Sequence, residues 1–208
     1  MVTCLLWHRR DLRVADNAAL QFAAHNADIL IPVACIESPA STDALSALIT
    51  QFKLECIADL QAQYRSLGSD LVVRVGSPEE MLPKLAHETG ATQLVYQRAH
   101  AQREVDRENE VCGVLRKAGI LTTGMWGELL VNRIALPFDL EDLPQDFAEF
   151  QMAIKDGLAN LPIPLAPPNQ LPSCPVYGGS LPTLESLGFS TGETFTRKRT
   201  GFRGGTKE

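Results

Sequence analysis

The residues best placed to do chemistry come directly after the first apolar run. Val2-Thr3-Cys4-Leu5-Leu6-Trp7 reads as a strand that delivers the chain into His8-Arg9-Arg10-Asp11-Leu12-Arg13, with Asp16 and Asn17 close behind. Open α/β sheets bind ligands outside the carboxyl ends of their strands, where strand order reverses. The first strand's exit loop belongs at that place. Arg9, Arg10 and Arg13 could grip a phosphate or carboxylate through paired guanidinium hydrogen bonds. The alternative is that Asp11 and Asp16 pair with them and fix the turn into the first helix, and the alternation of acids with bases favours this structural role. His8, beside cations, is a poor metal ligand, and His25 and His87 lie on helical segments without a partnering ligand.

Other chemistries lack their signatures. The exit loop has no glycine, and the chain has neither G-x-G-x-x-G nor G-x-x-x-x-G-K-[ST], which disfavours a dinucleotide-dependent dehydrogenase or a P-loop NTPase. There is no G-x-S-x-G elbow for covalent catalysis. Cys4, Cys35, Cys56, Cys112 and Cys174 are odd in number, scattered and without a C-x-x-C pair, so no zinc or thioredoxin-type site is expected.

The elements that must position these residues alternate regularly. Residues 2–7, 29–36, 70–75, 92–96 and a run starting at Ile120 are short and nearly continuously apolar, as strands buried on both faces of a parallel sheet are. Pro32 suits a strand end, an edge or a bulge. Helical patterns lie between, at 18–26 capped by Asn17, at about 42–67, from Ser77-Pro78 to Gly90, and at about 101–118. On the last, Arg103, Glu104, Asp106, Arg107, Glu108 and Glu110 read as a solvated face. The expected fold is α/β, a doubly wound, Rossmann-like, five-stranded parallel sheet over residues 1–135. Residues 136–208 supply a short helix at about 144–156, a connector and a tail. Seven of the thirteen prolines fall in 161–182, so this stretch is expected to be extended and semi-rigid rather than a second core.

With 45% apolar residues among 208, the chain can bury a core. No stretch reaches the roughly 18 apolar residues of a membrane span, and no leader pattern opens the chain, so a soluble, cytoplasmic protein is expected. Residues 197–208 carry a net +4 and the remainder −10. Nucleic-acid contact is therefore expected to be weak or absent, local to the basic tail or to the arginines after the first strand, and salt-dependent.

The ordered set of motifs resembles the photolyase/cryptochrome family, and within it the DASH-type cryptochromes. Trp7 to Asn17 resembles W-F-R-x-D-L-R-x-x-D-N. Ile31-Pro32-Val33-Ala34-Cys35-Ile36 is similar to L-P-V-Y-C-F, and Val73–Pro83 to V-R-x-G-x-P-E-E-V-L-P. Trp126-Gly127, Leu136-Pro137-Phe138, Leu143-Pro144 with Phe147 and Phe150, Leu181–Gly188 and Phe202-Arg203-Gly204-Gly205 resemble later landmarks. The resemblance implies an antenna domain, which in that family holds or borders a folate, deazaflavin or flavin pigment. The FAD, the tryptophan electron relay and most DNA contacts belong to the following helical domain. The chain is therefore expected to be non-catalytic alone and without its own FAD, binding an antenna pigment or nucleotide-like ligand, or docking on a flavin-domain partner or a second copy. The candidate ligand positions are Arg9, Arg10, Cys35, Ile36 and His100. His100 stands where the family's V-Y-x-H-x-E has its folate-contacting glutamate, His8 replaces an aromatic, Glu37-Ser38-Pro39 replaces D-P-R, and Thr206 replaces the acid of R-G-G-E. These departures leave room for a second reading, a pigment-free α/β interaction module, and for a third, a fragment of a deoxyribodipyrimidine photolyase or cryptochrome.

Overall fold

The computed structural model describes residues 1–38, 44–131, 136–155, 163–189 and 204–205. Five strands form one parallel sheet in the order β3-β2-β1-β4-β5: β1 (Thr3–His8), β2 (Ile29–Ile36), β3 (Val72–Val75), β4 (Gln93–Gln97) and β5 (Leu121–Met125). The helices are α1 (Ala18–Asn26), α2 (Ala44–Ser66), α3 (Pro78–Thr89), α4 (Gln102–Lys117) and α5 (Phe147–Ala153). Strand order reverses between β1 and β4, so the crevice at their carboxyl ends is the expected ligand position of this topology.

Strand period two divides the core into two layers. Cys4 and Leu6 of β1 face α1 and α2, joining Leu20, Ile57, Leu60 and Tyr64. Leu5 and Trp7 face α3 and α4, joining Leu82, Leu85, Val111 and Leu115. The local signals act as expected. Asn17 Oδ1 accepts from Leu20 N at 3.0 Å and starts α1. Pro78 opens α3 and Gly90, at φ 65°, ends it. The start of α2 expected near Thr42, the boundary at 135/136, the end of the short helix at 156, Leu161-Pro162 and the basic residues Arg197, Lys198, Arg199, Arg203 and Lys207 lie outside the described residues.

Two features differ from expectation. Pro32 sits inside β2, opposite Leu6, rather than at a strand end. β3 joins β2 only from Val33↔Val72, so Pro32 lies just before that side of β2 becomes paired. The proline-rich stretch forms no helix or strand over residues 163–182, and it is a strap that completes the first core. Leu171, Leu187 and Phe189 are buried with the α1–α2 layer. Asp16 N donates to Leu165 O at 2.7 Å, Leu171 N to Leu67 O at 3.0 Å, and Val73 N to Gly178 O at 2.8 Å. The last of these pairs with the outer edge of β3, an edge that would otherwise be open.

Candidate functional site at the carboxyl edge of the sheet

The exit of β1 carries two polar clusters, one on each side of the sheet. Strand alternation puts His8 toward α2 and Arg9 toward α4.

On the α2 side, His8, Asp11, Asn17 and Tyr64 form a closed network. His8 and Tyr64 side chains are fully buried. His8 Nε2 lies 2.6 Å from Tyr64 Oη, and Nδ1 lies 3.2 Å from Asp11 Oδ2 and 3.1 Å from Asp11 O. Asp11 also accepts from Asn17 Nδ2 at 3.1 Å and from Arg9 N at 3.0 Å. Burial alone would raise the Asp11 pKa, but charge attraction to the His8 ring in its protonated form and these hydrogen bonds outweigh it and hold the carboxyl at about 2. Burial, with the Asp11 charge adding to it, pushes the Tyr64 hydroxyl well above the usual phenol range.

On the α4 side, Arg9 is nearly enclosed. Its guanidinium lies 4.6 Å from the Trp7 ring centroid and 5.8 Å from that of Tyr96. Nη2 donates to Glu108 Oε2 at 2.9 Å and to Gln97 O. Glu108 is buried and also accepts from Ala99 N at 2.9 Å, so one carboxylate ties the β1 exit to the β4 exit. This cluster is not closed. Arg9 Nη1 and both polar atoms of the Gln97 amide are buried without a hydrogen-bond partner among the described residues. Such groups are rare in native interiors, because each loses hydration without compensation. The Gln97 amide packs over the Cα of Gly127, where a Cβ would collide with it.

The expected ligand positions map onto one edge. Arg9 and Arg10 follow β1, Cys35 and Ile36 end β2, and His100 follows β4, on three adjacent strands. Arg10 is exposed and makes no ion pair or hydrogen bond among the described residues. Arg9 is held by Glu108, not by Asp11 or Asp16, whereas Arg13 does pair with Asp16, donating to its carbonyl at 3.1 Å. The side chains of Cys35 and Ile36 lie in opposite core layers. Burial pushes the Cys35 thiol up to about 12, which leaves it un-ionised. His100 is exposed, stacks on Trp126 at 5.5 Å and donates from Nε2 to Gly127 O at 3.1 Å. Arg98 lies 5.0 Å over the same indole.

Sequence reasoning missed Glu108, Arg107 and Gln97. The charged face of α4 is not simply solvated. Arg107 reaches Glu37 at the β2 exit and Glu79 at the start of α3, with Nε 2.9 Å from Glu79 Oε1. No signal in the local pattern marks Gln97, and the 3–4 spacing of Val111 and Leu115 with Glu108 was the one hint that Glu108 faces inward. Among the described residues no cluster of His, Cys, Asp or Glu is arranged to hold a metal ion, and no helix is long and apolar enough to cross a membrane.

Comparison with known proteins identifies the family. The family profile described as DNA photolyase matches residues 4–170. The chain is 33% identical to the cryptochrome DASH of Gloeobacter violaceus, across 98% of this chain and 42% of that protein. It is 34% identical to the blue-light photoreceptor PHR2 of Arabidopsis thaliana, across 89% of this chain and 43% of that protein. The crystal structure of a cryptochrome from Synechocystis superposes with a TM-score of 0.81 at 27% identity, covering 91% of this chain and 41% of the other. The chain thus spans about two fifths of the length of these relatives.

Proposed function

The chain belongs to the DNA photolyase family, and from that premise we propose that this α/β domain is an antenna module, holding a pigment or nucleotide-like ligand at the crevice between β1 and β4 and docking along α2 against a flavin-carrying helical body. The observation that carries the first half is the unsatisfied trio of Arg9 Nη1 and the two Gln97 amide atoms at the strand-order reversal. A primary amide with both a donor and an acceptor unpaired matches the lactam edge of a flavin- or pterin-type ring. The uncommitted Arg10 beside it suits a ligand phosphate or carboxylate. The residues therefore fit such a group, which would contribute near-ultraviolet or blue absorption and pass on its excitation.

The docking half draws on α2. Gly204 lies so close that a Cβ would stand 2.8 Å from Cys56 Sγ and would collide with Phe52 O, and Gly204 N donates to Glu55 Oε2 at 2.9 Å. Ile49 and Phe52 remain about half exposed beside it. A pigment-free docking module is the second reading. His100 favours it, because its ring is committed to Trp126 and Gly127 where a folate-binding relative carries an acid.

The test is an absorbance and fluorescence spectrum of the purified protein, repeated after incubation with flavin mononucleotide and with a reduced folate. Saturable uptake of either, weakened in Arg10→Ala, supports the antenna reading. A colourless protein that takes up neither overturns it in favour of the docking module.

A further inference from the structure

We propose that Tyr64 is a redox-active tyrosine, built to lose one electron while passing its phenolic proton to His8. The proposal stands on the α2-side network and is independent of any ligand at the crevice.

The donor and acceptor inventory fixes the resting state. His8 Nδ1 faces two oxygens of Asp11, the carboxylate at 3.2 Å and the carbonyl at 3.1 Å, and both are acceptors. The Nδ1 atom therefore carries the ring proton. Tyr64 is fully buried, and among the described residues its hydroxyl meets only His8 Nε2, at 2.6 Å. The hydroxyl is satisfied as a donor only if Nε2 accepts, which makes the imidazole neutral.

A buried phenol is hard to oxidise because the phenol radical cation is strongly acidic and its proton has nowhere to go. Here the proton has a base in direct contact. When an electron leaves Tyr64, the O–H bond breaks, a new N–H bond forms at His8 Nε2, and the products are a neutral phenoxyl radical and an imidazolium. A new cation in a dry interior would be costly without an adjacent counter-charge. Asp11 supplies it, already ionised and held by Asn17 and the Arg9 N–H. Re-reduction reverses both transfers. The electron acceptor required is a one-electron oxidant of the photoexcited-flavin class, or a soluble metal complex of comparable oxidising power.

The other tyrosines lack this arrangement. Tyr177 is 78% exposed. Tyr96 is buried, but the polar group beside its hydroxyl is the Cys112 thiol, not a base backed by a carboxylate.

The experiment uses the full chain carrying Tyr177→Phe, which removes the exposed tyrosine, with flash-generated ruthenium tris-bipyridyl(III) as oxidant. Transient absorption and electron paramagnetic resonance follow the radical. The expected result is a tyrosyl signal that disappears when Tyr64→Phe is added. In the parent it shows nitrogen coupling when histidine is isotopically labelled. Its lifetime falls about tenfold or more in His8→Phe, the equivalent of one hydrogen bond to a charged group. The labelling readout needs no second substitution, so a misfolded His8→Phe leaves the test intact. A signal that survives Tyr64→Phe, or that carries no histidine coupling, overturns the proposal.

Discussion

His8 and Arg9 are neighbours in sequence, yet they anchor two clusters with opposite bookkeeping. On the α2 side Asp11, Asn17, His8 and Tyr64 satisfy one another completely. On the α4 side Arg9 and Gln97 leave three buried polar atoms without partners among the described residues. A closed polar network fixes the position of the chain, and an open one in the same fold stores an unmet demand that a ligand can meet. The open cluster lies at the reversal of strand order, and the ligand site is proposed there for that reason.

Breaking the closed cluster should have the largest effect. Asp11→Ala removes the buried carboxylate that accepts from the Arg9 N–H and the Asn17 amide and faces the His8 ring, and should cost about 3–5 kcal/mol in chemical denaturation. The pH dependence follows from the depressed Asp11 pKa. Its native value of about 2 lies below the ordinary 3.8, so the stabilisation is fully present above the ordinary value and is lost as pH falls through the native one. Acid titration of stability should therefore lose about 2 kcal/mol from this group between about pH 4 and about pH 2, and Asp11→Asn should flatten that limb. Tyr64→Phe is milder. It strands only His8 Nε2, at about 1–2 kcal/mol, and the double variant His8→Phe/Tyr64→Phe should recover part of that loss because no orphan remains. Additive losses in the double-mutant cycle would contradict the pairing.

The open cluster should respond in the other direction. Gln97→Met removes two unpaired atoms at similar volume, so stability should stay unchanged or rise by up to about 1 kcal/mol. Glu108→Gln should lose about 1–2 kcal/mol, because it weakens the clamp between the β1 and β4 exits. The smallest effect is expected at the α2 contact. Gly204→Ala should lift that segment away with under about 1 kcal/mol lost, visible as faster modification of Cys56 by a thiol reagent, since Gly204 covers its sulfur. An unchanged Cys56 rate would mean the segment does not rest on α2 in solution.

Most of the sheet was legible because its signals are local. Apolar runs, the Asn17 cap, Pro78 at the first position of α3 and Gly90 each act within a few residues, although the Ser77 side chain makes no capping hydrogen bond. The strap was half legible. Its prolines announce extended backbone, but nothing near Leu171, Leu187 or Phe189 says that they complete a core whose α1 and α2 members lie more than 100 residues earlier. The site was the least legible part. His8 and Tyr64 are 56 positions apart, and Arg9 and Glu108 are 99 apart. Charge alternation on α4 hides that Glu108 points inward and Arg107 bridges two acids. The family resemblance led to Arg9, Arg10 and His100, which lie along one edge of the sheet, but it gave no sign of Gln97, whose side-chain amide has no hydrogen-bond partner among the described residues.

The comparison between the clusters is tested most directly by titrating the wild-type chain and Gln97→Met with flavin mononucleotide and with a reduced folate, following fluorescence at equilibrium. The account predicts saturable binding of one of them to the wild type and a loss of about tenfold or more in Gln97→Met, with the variant at least as stable as the wild type. Equal binding by both proteins, or binding by neither, would contradict the claim that the open cluster is a ligand site.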